Sequence, residues 1–264
     1  MHRSHRSHLG EVHLAEIQSL ARGLKILDKL ATAEDGVGIT ELAQYLDVDK
    51  SSASRLVQTL VNYGYAEQND SSRKYQLGAQ VIMLCRDYLN RIPLRDQARP
   101  FLQQLVDLTG EAAHLGVVTH GQAVIIDDVE SPAMLRVDSG VGRFMLLHCT
   151  AIGKCLLAYH DLPLPDELEH RTERTIVDKQ RLEQHLAEVR QQGYAFDDEE
   201  NFDGVRCLAV PVYGYKGTLV GTIGISGPSI RMTLDRIPEL VETLKDVADS
   251  FSAYLGYDTR KLKA

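Results

Sequence analysis

The chain has 264 residues, 44% of them apolar and 25% charged, with a net charge of −8. Such a length accommodates two domains, and no apolar run approaches the ~20 residues of a membrane helix. The His- and Arg-containing start lacks the apolar stretch of a signal peptide, so a cytoplasmic protein with no membrane partner is expected.

Residues 1–18 carry His2, His5, His8, His13 and two arginines with little apolar periodicity, and read as a tail. A minor-groove arm and a weak metal-binding tract are the alternatives. Residues 19–77 read as one small domain. Ser19 to Ala31 forms a helix with Leu20, Leu24, Leu27, Leu30 and Ala31 on one side. Thr40 to Tyr63 follows as two helices around the turn Asp47-Val48-Asp49. Thr40 is expected to cap the first helix, whose apolar side is Leu42, Ala43 and Leu46, and Asp49 the second. On that second helix Ala53, Leu56, Val57, Leu60 and Val61 make the buried stripe, leaving Lys50, Ser51, Ser52, Ser54, Arg55 and Gln58 outside it. Hydroxyls, an amide and basic groups near a helix N-terminus suit a recognition helix that meets phosphates and base edges in a major groove. A solvated helical hairpin is the plainer alternative.

Tyr65–Gln68 and Lys74–Leu77 are short strands joined by the turn cluster Asn69–Arg73. Three helices and a hairpin make a winged helix-turn-helix, the wing presenting Arg73 and Lys74 to a backbone phosphate. Through Leu77 nine basic residues face ten acids, so most of the negative charge lies beyond. A near-neutral DNA-binding domain makes few phosphate contacts per subunit, and a homodimer or dimer of dimers on two-fold operator DNA is expected.

Residues 78–93 read as a linker helix, with Val81, Ile82, Leu84, Cys85, Tyr88 and Leu89 on one side and a stop at Arg91-Ile92-Pro93. Residues 94–258 then form an α+β domain. Leu94–Leu108 is a helix stopped by Thr109-Gly110. Ala112–Val118 and Ala123–Ile126 pair across His120-Gly121-Gln122, and Met134–Val137 and Phe144–Leu147 are further strands. Thr150–His160 and Lys179–Gln192 are helices, Val205–Val212 and Leu219–Ser226 long strands, and Leu234–Leu255 a last helix.

The Thr150 helix opens directly after a strand, so the first N–H groups, those of Ala151 and Ile152, offer an anion site for a carboxylate; a capped strand-to-helix junction is the plainer reading. Lys154 reads as a poor ligand and a possible buried structural cation. In Asp197-Asp198-Glu199-Glu200, strand alternation turns Asp197 inward, able to accept from a ligand hydroxyl, while its neighbours stay wet.

SLARGLKILDKLA, ITELAQYLDVDKSSASRLVQTLVNYGYAEQ and KYQLG resemble the DNA-binding half of the IclR family of bacterial transcriptional regulators. HCTAIGKCLLAY, GYAFDDEENFDGVRCLAVPVY and TIGISGP resemble that family's effector-binding half, in the same order. The resemblance implies a winged helix-turn-helix domain, a linker helix and a GAF-like (PAS/profilin-like) effector-binding domain. It also implies effector contacts at Ala151, Ile152, Asp197 and Cys207, with apolar walls at Met134, Val137, Met145 and Val205. Taken with the helix N-terminus and Asp197, it points to a small organic acid, an aromatic one such as a hydroxybenzoate being the expected kind, as the effector of a regulator of a catabolic operon.

No cofactor or metal site is expected: Cys85, Cys149, Cys155 and Cys207 lack a C-x-x-C pair, and read as reduced thiols. An enzyme would need Cys207 or Cys149 as nucleophile with His148 or His114 as base, and a redox regulator would use Cys149 and Cys155. No G-x-S-x-G, H-E-x-x-H or phosphate loop supports catalysis.

Overall fold

The computed structural model describes residues 17–89, 93–138, 140–160 and 162–257, the side chains of residues 86–89 excepted. Most of the expected tail, the Arg91-Ile92 stop, and the side chains of Tyr88 and Leu89 lie outside the described residues. The chain divides between residues 91 and 92 into two compact units.

In the first, α1 (Gln18–Ala31), α2 (Ile39–Tyr45) and α3 (Lys50–Asn62) precede the hairpin β1 (Ala66–Gln68) and β2 (Tyr75–Leu77), and α4 (Gln80–Leu89) follows. Ile26, Leu30, Leu42, Val57, Ala66 and Tyr75 make the core. This core reaches only the C-terminal half of α1. Leu20 and Leu24, expected inward, are 61% and 56% exposed, and Ala31 is also exposed. The α2 cap differs too: Gly38 holds the N-cap position without a side-chain bond, and Thr40 sits inside the first turn. At α3 the expectation and the structure agree, because Asp49 accepts from the Ser52 N–H at 2.9 Å. Val37 bridges to Tyr75 and extends the wing to three short segments.

The second unit is built on a six-stranded, wholly antiparallel sheet. Its strands are β3 (Ala112–Thr119), β4 (Gln122–Val129), β5 (Phe144–Met145), β6 (Ala195–Asp198), β7 (Val205–Tyr213) and β8 (Leu219–Pro228), in the order β5-β4-β3-β8-β7-β6. Alternation along each strand serves two cores. Leu115, Leu208, Val210, Ile223 and Ile225 face α5 (Pro93–Thr109) and α8 (Ile237–Tyr254), while Ile125 and Ala209 face α6 (Ala151–Tyr159) and α7 (Lys179–Gln192). Burial of apolar side chains in the two cores supplies the dominant favourable contribution to folding. Helices flank an antiparallel sheet, an α+β arrangement.

Three expected elements differ. Met134–Val137 is irregular, with bends at Met134 and Leu135, and the Phe144–Leu147 strand shrinks to Phe144-Met145, paired with Ala123 and Val124. The last helix is preceded by a 3-10 turn, Leu234–Arg236. Among the described residues no helix is long and apolar enough to cross a membrane.

Candidate functional site

On the α6 side of the sheet, four neighbouring strands align a row of polar side chains. Asp197 (β6) is the register partner of Cys207 (β7), and Cys207 of Ser226 (β8). The Ser226 hydroxyl donates to Cys207 Sγ at 3.1 Å and lies 3.2 Å from Nε2 of His114 on β3. These residues floor a cavity of about 320 Å³ that Val137, Asp138, Arg143, Phe144, Met145, Glu169, Arg171, Asn201, Phe202 and Val205 also line. Its size is at the small end for ligand sites, and apolar walls with convergent polar groups are what such sites share.

The floor is electrostatically unusual. Asp197 is 1% exposed, and burial pushes its carboxyl up to about 7 against the opposing influence of Lys154. Its Oδ1 accepts from the Glu200 N–H at 2.8 Å. Burial pushes His114 down to about 4, so its imidazole is neutral at pH 7, and raises the Cys207 thiol well above the ordinary range. Beneath the floor the fully buried Lys154 ammonium donates to the Phe196 carbonyl and Glu200 Oε1. Lys154 is therefore a structural cation, and Glu200 is not wet as the acidic run suggested. Asp198 is likewise engaged, accepting from Arg206 at 2.6 Å and Arg174 at 2.7 Å.

The expected effector residues separate into three groups. Val137, Met145, Asp197, Val205 and Cys207 line the cavity. Ala151 and Ile152 have side chains packed in the α6 core, and their neighbour Thr150 lines the cavity instead. Thr150 Oγ1 accepts from the Gly153 N–H at 3.0 Å, which leaves the N–H groups of Ala151 and Ile152 without an acceptor inside α6. Met134, in a bend rather than a strand, is 99% exposed and does not line the cavity. Arg143, Arg171, Asn201 and Ser226 were not picked from the sequence. They come from four separated segments, and only Asn201 and Ser226 fall within the stretches that resemble the family, GYAFDDEENFDGVRCLAVPVY and TIGISGP.

The thiols are poorly suited to chemistry. Burial pushes both Cys149 and Cys155 up to about 12, which keeps them protonated and weakly nucleophilic. His148 Nε2 is engaged 2.9 Å from the Glu169 carbonyl.

In the first unit, Lys50, Ser51, Ser54, Arg55 and Gln58 are exposed on α3 and Ser52 is half-buried. The Ser51 and Ser52 hydroxyls donate to the Asp49 carboxylate at 2.5 and 2.7 Å, holding that carboxyl well below its ordinary range. Gln58 Nε2 donates to Asn62 Oδ1 at 3.1 Å. Arg55 stands beside Arg22 and Ser19 of α1 and Thr59 in a shallow groove, a second basic residue that α1's sequence did not signal. On the wing, Asn69 Oδ1 accepts from the N–H groups of Ser71 and Ser72 at 3.0 Å, a local turn that presents exposed Arg73 and half-buried Lys74.

Residues 19–70 match the family described as the IclR helix-turn-helix domain, and residues 86–253 the one described as bacterial transcriptional regulator IclR C-terminal. The HTH-type transcriptional regulator KdgR of Escherichia coli K12 is 36% identical, over 91% of this chain and 94% of that protein. Among solved structures, IclR of Thermotoga maritima superposes with a TM-score of 0.71 at 29% identity, covering 92% of this chain and all of that one. An IclR homologue from Microbacterium hydrocarbonoxydans complexed with 4-hydroxybenzoate shares the fold, with a TM-score of 0.75 at 21% identity over 90% of this chain and 98% of that one.

Proposed function

The chain belongs to the IclR family of bacterial transcriptional regulators, and on that premise we propose that a small organic acid, bound in the cavity over the Asp197–Cys207–Ser226 row, sets its affinity for operator DNA. It is a regulator and not an enzyme, as its family membership states. The carrying observation is the convergence, in one enclosure of about 320 Å³, of the α6 N-terminal segment at Thr150, buried Asp197 and the Val137, Met145 and Val205 walls. A carboxylate suits the N–H groups at Ala151 and Ile152, an organic body the walls, and a hydroxyl the Asp197 side. Phe144 and Phe202 on the same lining support an aromatic acid of the hydroxybenzoate kind as one form of this reading.

On the DNA side, α3 enters the major groove with Lys50, Ser54, Arg55 and Gln58 toward base edges, Ser51 and Ser52 near the backbone, and Arg73 and Lys74 of the wing on phosphate. The operator controls a catabolic operon, and two copies of the chain, paired through the apolar strip that α1 leaves open, bind it together. Fluorescence anisotropy of labelled upstream DNA, titrated with protein at rising acid concentrations, tests the reading. Operator affinity shifts with the acid, and by linkage operator DNA shifts acid affinity by the same factor. Operator binding indifferent to every acid that binds the protein overturns it.

A further inference from the structure

We propose that the chain has a second small-molecule site, a groove between α7 and the end of β6, and that it takes a zwitterionic amino acid with the ammonium inward and the carboxylate at the mouth. The groove, of about 450 Å³, is lined by Glu173, Arg174, Arg181, His185, Asp198 and Glu200 among others, and shares no lining residue with the cavity over Asp197.

Two acceptors mark its floor. Three buried side-chain nitrogen or oxygen atoms lack a hydrogen-bond partner among the described residues, and two of them, Glu200 Oε2 and His185 Nε2, belong to residues of this groove. Such atoms are rare in folded chains, because each gives up hydration without gaining a bond. Glu200 is only 6% exposed and is fixed in place. Its N–H donates to Asp197 Oδ1 at 2.8 Å, its carbonyl accepts from the Thr175 hydroxyl at 2.6 Å, and Oε1 accepts from Lys154. His185 Nδ1 lies 3.5 Å from Glu188 Oε2, and burial, with Lys154 and Arg181 adding to it, pushes the imidazole down to about 4. The neutral ring keeps its proton on Nδ1, beside that carboxylate, and presents a lone pair at Nε2.

Charge decides what fills the groove. Lys154 offsets Glu200, and Arg174 offsets Asp198 by donating to it at 2.7 Å. That leaves one exposed group of each sign, Glu173 and Arg181, neither tied to another side chain among the described residues. A metal ion finds no cluster of three ligating side chains among the described residues and would meet three cations, Lys154, Arg174 and Arg181. A carboxylate at the floor would face two lone pairs. A primary ammonium carries three N–H donors, enough for both acceptors, where a single hydroxyl has one. Arg181 and His185 stand four residues apart on α7, one turn along the same face, which sets their Cβ atoms about 5–6 Å apart. The ammonium and carboxylate of an α-amino acid bridge that span once hydrogen-bond lengths are added.

Calorimetry on the full chain tests this with the twenty standard amino acids, butylamine, butanoate and zinc chloride. At least one amino acid should bind about tenfold or more tighter than butylamine and butanoate, which each lack one of the two charged groups. Arg181→Gln and His185→Phe should each weaken that amino acid by about tenfold, and Arg143→Gln, in the other cavity, should not. Circular dichroism verifies folding, and Arg181→Gln, on an exposed residue, carries the test alone if His185→Phe is unfolded. Loss of binding in Arg143→Gln with the groove variants unaffected puts the amino acid in the effector cavity and overturns the second site. Butylamine or butanoate binding as tightly as the best amino acid, or zinc binding that His185→Phe abolishes while no amino acid binds, overturns the ligand class. No binding by any of the twenty overturns the proposal outright.

Discussion

Asp197 concentrates the chemistry of the cavity in one carboxyl. Because burial lifts its folded pKa to about 7, above the ordinary 3.8 of an aspartate, the folded chain holds this proton more tightly than the unfolded one. The associated stability is fully present below the unfolded value and is lost as pH rises through about 7. Urea unfolding of Asp197→Asn should therefore show a flatter pH dependence than wild type between those limits, where each unit corresponds to up to about 1.4 kcal/mol. An identical profile in the two proteins would remove Asp197 as the source. A bound carboxylate raises this pKa further, so acid binding should take up a proton near pH 7.5 and weaken as pH rises beyond it. Titrations in buffers of different ionisation enthalpy measure that uptake.

At the DNA face, Arg55 and Lys74 occupy different settings, one exposed on α3 and the other half-buried at the wing. Arg55→Ala should relax base preference by roughly 1–3 kcal/mol if it reaches a guanine, while Lys74→Ala should weaken all sequences alike and flatten the salt slope by about one unit. Anisotropy against operator and scrambled DNA separates the two, and unchanged affinity of Arg55→Ala for both would remove it from the recognition set.

At the scale of elements, α6 is the piece on which the cavity depends. A Cβ added at Gly153 would lie 2.2 Å from the Leu146 carbonyl oxygen and 2.7 Å from Leu147 Cα, both backbone atoms that cannot swing aside. Glycine at this position lets α6 pack against its own lead-in segment, rather than leaving space for a ligand. Gly153→Ala should cost about 1–3 kcal/mol by thermal or urea unfolding and weaken acid binding as the N-terminal turn is displaced. An unaltered midpoint would show that the lead-in segment gives way freely. Lys154, one residue on, is held wholly inside by Phe196 and Glu200. Lys154→Ala strands a buried carboxylate, and the expected loss is about 3–5 kcal/mol by the same measurement.

At the scale of the molecule, the first unit leaves apolar surface uncovered. Leu20 and Leu24 on α1 and Ile82 and Leu84 on α4 are all at least half exposed, at 61%, 56%, 73% and 50%. Water does not favour such a strip on a monomer, and a second copy of the chain covers it in the dimer proposed for a two-fold operator. Light scattering on full-length Leu20→Glu/Leu24→Glu should report a smaller mass than wild type and weaker operator binding. A wild-type protein that is monomeric at high concentration would count against the dimer.

The sequence alone determined what depends on local chemistry. The Asp49 cap, the His120-Gly121 hairpin and the Thr150 cap follow from short-range hydrogen bonding and backbone preference and stand in the structure as read, whereas the strand expected to lead directly into α6 ends at Met145 and a turn intervenes. The inward turn of Asp197 also stands, because alternation in a strand is fixed at every second residue. Tertiary structure decided the rest. Met134–Val137 has the residue types of a strand but no neighbour to pair with, so it bends and leaves Met134 in solvent. Leu20 and Leu24 have the spacing of a buried face, but the core of the first unit does not reach them. The rim of Arg143 and Arg171 was illegible for the same reason: the two residues are distant in sequence, and a shared cavity is created only when the sheet brings their segments together.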